Sequence, residues 1–171
     1  SNLSQALAVS DSLFKSGHYN KALQKYEQIL KSMKDLELFQ QVEVQMKISK
    51  CYLALANFEK SIKILQEAYA FLKDHKDDES YSAAQICNLL FRVYRITESS
   101  EQATNMCLKA IEILTSLGKD EDIEMAKAYQ NLGWIASDDG CFHRAFYFLF
   151  TSLDIKSKYC GEDREAELGF L

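Results

Sequence analysis

One pattern occurs four times along this chain, and it governs everything else. The segment GHYNKALQKYEQIL (Gly17 to Leu30) returns as ANFEKSIKILQEAY from Ala56, ESSEQATNMCLKAI from Glu98 and GCFHRAFYFLFTSL from Gly140. Measured through the small residues Ala22, Ser61, Ala103 and Ala145, the steps are 39, 42 and 42 residues. The upstream segments keep the same steps without a gap: Val9, Ile48, Leu90 and Leu132 align, as do Leu13, Tyr52, Tyr94 and Ala136. A repeat of this period confines a chain to folds that stack one supersecondary unit many times over.

The unit reads as a helical hairpin. Apolar residues recur three and four apart, as in Val9 and Leu13 and then Ala22, Tyr26, Ile29 and Leu30, the period of helices with one buried stripe. Gly17 or Gly140 supplies backbone freedom for a short inner turn, Asn57 or Ser99 suits the cap of the next helix, and Ser99-x-x-Gln102 predicts a capping box. Small residues at Ala22, Ser61, Ala103 and Ala145 let the two helices of a hairpin approach closely. Polar stretches such as KDHKDDES and SLGKDEDIE separate the hairpins, with Gly118 as a helix stop.

These hairpins resemble tetratricopeptide repeats (TPRs). The fourth unit carries the resemblance best, with Leu132-Gly133, then Gly140-x-Phe142 and Ala145; in the third, Glu98 and Ser100 replace the turn glycine and aromatic. The step exceeds the common 34-residue form, and longer units of this kind are similar to those of kinesin light chains and bacterial peptide-sensing regulators. The resemblance implies an all-α, right-handed α-solenoid of about four hairpins, at roughly 3–35, 40–76, 80–117 and 122–158, in a single domain covering 1–171. Residues 160–171, with Leu168-Gly169, read as the start of a fifth unit or a capping helix, so the chain is expected to be a fragment of a longer protein.

Composition removes several alternatives. The sequence has no proline, where average usage would give about nine in 171 residues, which disfavours sandwiches and loop-rich enzymes. A net charge of -5 gives no general motive for binding nucleic acid. Its longest apolar runs, Cys51 to Ala56 and Ala145 to Phe150, fall far short of a bilayer span, so membrane insertion is not expected. Five cysteines form no C-x-x-C pair, which predicts a reducing, cytoplasmic setting and no structural metal. No acid, base or nucleophile falls in a catalytic motif: His18, His75 and His143 lie in turns or connectors, and Cys107 falls in the core column of Tyr26, Leu65 and Leu149. The expectation is a protein that is not an enzyme and uses no cofactor.

In a TPR solenoid the inner, concave wall is built from first helices and suits peptides or helices. In the first of these helices Val9, Ser10 and Leu13 are expected to face the core, with Leu7, Asp11 and Phe14 on a separate face. The repeat steps carry that face to Met46, Lys50 and Leu53, to Asn88, Arg92 and Arg95, and to Gln130, Trp134 and Ser137, with Lys47 and Asn131 alongside. Arg92 and Arg95 can fork onto carboxylates, Asn88 and Asn131 can pair with a peptide backbone, and Trp134 offers a flat anchor. The resemblance implies the same backbone-holding role for Asn131. Leu7 and Asp11 depart from the carboxylate clamp by which some relatives hold chaperone tails. The predicted site is therefore Met46, Lys47, Lys50, Asn88, Arg92, Arg95, Gln130, Asn131 and Trp134, taking a protein or peptide ligand that carries Asp or Glu. The chain reads as an adaptor or scaffold, with a peptide-sensing regulatory domain of a larger signalling protein as the alternative. A purely structural self-assembly unit using the exposed helix ends stands third, and Phe146 or Phe150 on an outer face could serve assembly.

Overall fold

The computed structural model describes residues 2–32 and 35–159, and the expected fifth unit or cap at 160–171 lies outside them. Eight helices follow one another: α1 (Asn2–Lys15), α2 (Tyr19–Ser32), α3 (Leu38–Ala54), α4 (Phe58–Asp74), α5 (Tyr81–Ile96), α6 (Ser100–Ser116), α7 (Ile123–Asp138) and α8 (Phe142–Ser157). No strand occurs among the described residues. Sequence neighbours pair as the hairpins α1–α2, α3–α4, α5–α6 and α7–α8. Contacts gather in two compact units, Ser1–Asp78 and Glu79–Leu171, each holding two hairpins.

Each inner turn uses a left-handed residue. Gly17 and Gly140 hold φ near 80° and 74°, while Ala56 and Glu98, at the same repeat position, hold 57° without glycine's freedom. The left-handed residue ends the first helix, and its neighbour begins the next. Asn57 caps α4 by accepting from the Lys60 amide at 3.3 Å, and Asp122 caps α7 by accepting from the Glu124 amide at 2.9 Å. The predicted capping box at Ser99 does not form, for that side chain makes no cap bond and lies 3.4 Å from the Thr97 hydroxyl. A capping box closes instead at Glu37 and Gln40.

The four small residues at the repeat's centre are buried as expected, Ala22, Ser61, Ala103 and Ala145 alike. Hydroxyls on the second helices turn inward to backbone carbonyls of the first, Ser61 to Ser49 at 2.9 Å and Ser152 to Ala126 at 2.6 Å, while the Cys107 thiol of α6 reaches on to Ala128 of α7, in the next hairpin, at 3.3 Å. In the last hairpin the helices leave no room for a side chain at Gly133, where an added Cβ would come within 2.6 Å of Leu149 Cγ and 2.7 Å of its Cδ2.

In the first unit the core joins Ala22, Tyr26 and Ile29 of α2 to Val44, Ile48 and Cys51 of α3, with Leu7, Leu13 and Phe14 packed on it. Val9 departs from expectation, since it is 54% exposed whereas its repeat equivalent Ile48 is buried. Ile48 lies between α2 and α4, and no described residue covers the corresponding side of α1. Leu7 and Phe14, placed on the outer face by their spacing, are half-buried. Asp11 closes this unit by accepting from the Tyr26 hydroxyl and from Lys47 Nζ at 2.8 Å.

Two predictions follow from these contacts. Gly133→Val should lower stability by about 2 kcal/mol in urea unfolding, because overpacking at Leu149 outweighs the better helix propensity of valine. Adding Leu149→Ala should then cost less than it does alone; strictly additive losses would remove Gly133 from the contact. The second concerns Asp11. Burial pushes its carboxyl up, but the hydrogen bonds from Lys47 and Tyr26 outweigh that and hold it below the usual carboxylate value of 3.8. A lowered folded pKa adds stability above about pH 4 and loses it as pH falls further. Asp11→Asn should therefore cost about 1 kcal/mol at pH 7, a modest figure because the carboxylate is partly exposed. The gap from wild type should close in unfolding curves taken below pH 4, and a gap that persists there would refute the ionic origin.

Candidate functional site

Six of the nine predicted site residues lie in the second unit, on the adjacent first helices α5 and α7. Two of them form the floor of that surface. Asn88 is buried and its Nδ2 donates to the Glu124 backbone oxygen at 3.0 Å and to Glu124 Oε2 at 2.9 Å. Asn131 is buried beside it and donates to Asn88 Oδ1 at 3.3 Å. The other oxygen of the buried Glu124 carboxylate accepts from Lys127 Nζ at 2.7 Å. Both asparagine amides therefore work inside the fold, tying α5 to α7, whereas the sequence alone assigned them to a ligand backbone.

Above this floor the side chains are open. Arg95 donates from Nε and Nη2 to the two carboxylate oxygens of Asp138 at 2.9 and 3.0 Å, a bidentate pair across α5 and α7. The hydrogen bond to Asp138 raises the Arg95 pKa, and the same bond holds Asp138 below the usual carboxylate value. The guanidinium carbon of Arg95 sits 5.0 Å from the centre of the Trp134 ring, within cation–π range. Trp134 remains 39% exposed. Arg92 is exposed and makes no ion pair with a described residue. Gln130 is half-buried and accepts from Lys156 Nζ at 2.7 Å. Burial lowers the Lys156 pKa, and Lys127 adds to the effect.

The remaining three residues belong to the first unit. Met46 is buried, Lys50 is exposed, and Lys47 is half-buried on Asp11 with Glu43 at 3.9 Å. Cations on these helices are thus largely matched by acids that sequence reasoning overlooked. The signal was present for Asp138, which follows Arg95 by 43 residues, one repeat and one position on.

Among the described residues, no three His, Cys, Asp or Glu side chains gather to hold a metal ion. Burial pushes the thiols of Cys51, Cys87 and Cys107 up to about 11, 12 and 12, far from thiolate reactivity at neutral pH. The three histidines are exposed, and no described helix is long and apolar enough to cross a membrane.

Neither a protein-family model nor a curated protein matches the sequence. Solved structures do. BtubC (BKLC) from P. vanneervenii is 20% identical with a TM-score of 0.77, over 93% of this chain and 63% of that one. The chain thus spans less than two thirds of BtubC's length. The nearly identical TPR-like repeats of a protein described as a kinesin light chain, from Podosopora anserina, are 16% identical with a TM-score of 0.72, over 96% and 79% of the two chains. A MamA protein is 17% identical with a TM-score of 0.51, over 96% and 94%. With eight helices paired as hairpins and this likeness to TPR-like repeats, the chain has the all-α, tetratricopeptide-like repeat fold.

Proposed function

We propose that the chain is a non-catalytic protein–protein interaction module, an adaptor or scaffold, whose ligand surface centres on Arg92, Arg95 and Trp134. The observation that carries this reading is Trp134, a large aromatic left 39% exposed beside the Arg95 guanidinium on a structured helix face. Folding gains nothing from an indole in water, whereas binding gains a flat anchor of the kind that dominates interface energetics. The TPR-like fold fits this use because it sets successive first helices side by side, as α5 and α7 are here.

In this reading the ligand is a peptide or a helix bearing an acidic residue. Its carboxylate meets Arg92, its apolar side chain lies on the open face of Trp134, and Arg95 is held in place by Asp138. Asn88 and Asn131 act from below, keeping α5 and α7 at fixed register, while Gln130 holds Lys156 of α8. Of the first-unit residues, Lys50 occupies the repeat position of Arg92 and Trp134 and is exposed, so it belongs to the same kind of surface; Met46 and Lys47 support it.

Peptides selected from a random display library on the whole chain would test the proposal, with affinity read by anisotropy of the labelled peptide. Ligands should also shift the emission of Trp134, the only tryptophan in the sequence. Trp134→Ala should weaken binding about thirtyfold, on the order of 2 kcal/mol. Arg92→Glu should weaken it more at low salt than at high salt, where exposed charges are screened. Selected peptides that bind both variants as tightly as wild type would place the interface elsewhere.

A further inference from the structure

The last described helix, α8, carries an aromatic stripe that no described residue covers. Phe142, Phe146 and Phe150 are 72%, 70% and 62% exposed, and Leu153 continues the line. Their spacings of four, four and three residues place them on one side of the helix, over a length of about 16 Å. The Phe146 and Phe150 rings stack at 6.1 Å. Ala145, Ser152 and Ile155, on other faces of α8, are buried. An exposed apolar line of this extent is a site of association.

The repeat shows what such a face receives. In α2 the positions of Phe146, Phe150 and Leu153 are held by Leu23, Glu27 and Leu30. Leu23 and Leu30 pack on the core shared with α3, and Glu27 accepts from the Tyr52 hydroxyl of α3 at 2.9 Å. In α6 the equivalent of Leu153 is Ile111, which packs in a cluster with Leu132 and Ile135 of α7. The face is therefore shaped for another helix.

A second copy of this chain offers two such helices, and their chemistry separates them. Head-to-tail stacking would set the stripe on α1, but where α3 presents Val44, Ile48 and Cys51 to α2, α1 presents Gln5, Val9 and Ser12. That surface is too polar for three phenylalanines. Antiparallel pairing of α8 with itself suits the stripe: centred at residue 148, it sets Phe146 beside Phe150 of the second copy, twice over. It also sets His143 beside Asp154 of the second copy. Both are exposed, and both lie on the same edge of the stripe, the edges that meet in an antiparallel pair. Farther along this edge, one turn beyond Asp154, lies Lys158, paired with Glu121 at 2.6 Å.

We infer that the chain forms a twofold dimer through antiparallel α8 helices, with the Phe142–Phe146–Phe150–Leu153 stripe as its core and reciprocal His143–Asp154 pairs at its edge. Sedimentation equilibrium of the whole chain should show a species of twice 19.6 kDa. Phe146→Asp and Phe150→Asp should each raise the dimer dissociation constant about a hundredfold without changing the helical spectrum, since both side chains point to solvent. His143→Glu and Asp154→Lys should each weaken the dimer, and the two together should restore it. A monomeric wild-type chain overturns the inference. So does a chain that dimerises only once residues 160–171 are removed, because those residues would then be the occupant. An open series of oligomers, or a dimer indifferent to Phe150→Asp, overturns it as well.

Discussion

Close contact between the two helices of each hairpin is the condition on which the rest of this structure rests. A helix pair can bury its apolar stripe only if the backbones come near enough for side chains to interdigitate, and a bulky residue at the closest point would prevent that. The chain meets the condition four times with Ala22, Ser61, Ala103 and Ala145, and in the last hairpin adds Gly133 opposite Leu149. Once backbones are this close, second-helix hydroxyls can reach first-helix carbonyls, as Ser61 and Ser152 do. A single steric requirement thus yields both the packing and its polar fastening.

The fold was legible in the sequence because a buried stripe and a small residue recurring in register have few physical explanations. Turn position and the burial of Cys107 could be read for the same reason. Local chemistry was harder. Ser99-x-x-Gln102 has the composition of a capping box, yet the Ser99 side chain makes no cap bond, although Asn57, at the same repeat position and with nearly the same backbone, caps α4. Val9 was assigned to the core from its column alone, but burial needs a neighbour as well as a column.

The candidate site shows a second limit. Helical phase places Asn88, Arg92, Arg95, Gln130, Asn131 and Trp134 on one side of two helices, and the structure places all six on α5 and α7. Phase does not say how far each side chain stands from the backbone of its neighbour, so it could not separate the buried asparagines from the open Arg92 and Trp134. Nor does a count of cations reveal their partners. Arg95 on Asp138, Lys47 on Asp11 and Lys127 on Glu124 turn what reads as a basic strip into a set of matched pairs. Such matching orients the cations, and Arg92 is exposed without an ion pair to a described residue.

The left-handed turn residues settle where this architecture tolerates change in length. From each of them to the small residue at the helix contact the count is the same: Gly17 to Ala22, Ala56 to Ser61, Glu98 to Ala103, Gly140 to Ala145. One residue added within that interval would rotate the contact by about 100° and turn the small side chain away from its partner helix. The difference between a 39-residue and a 42-residue step falls instead beyond Leu30, toward the connector that follows the hairpin. Across the four repeats of this chain the joints between hairpins vary in length, while the interval from turn to contact stays fixed like a ruler.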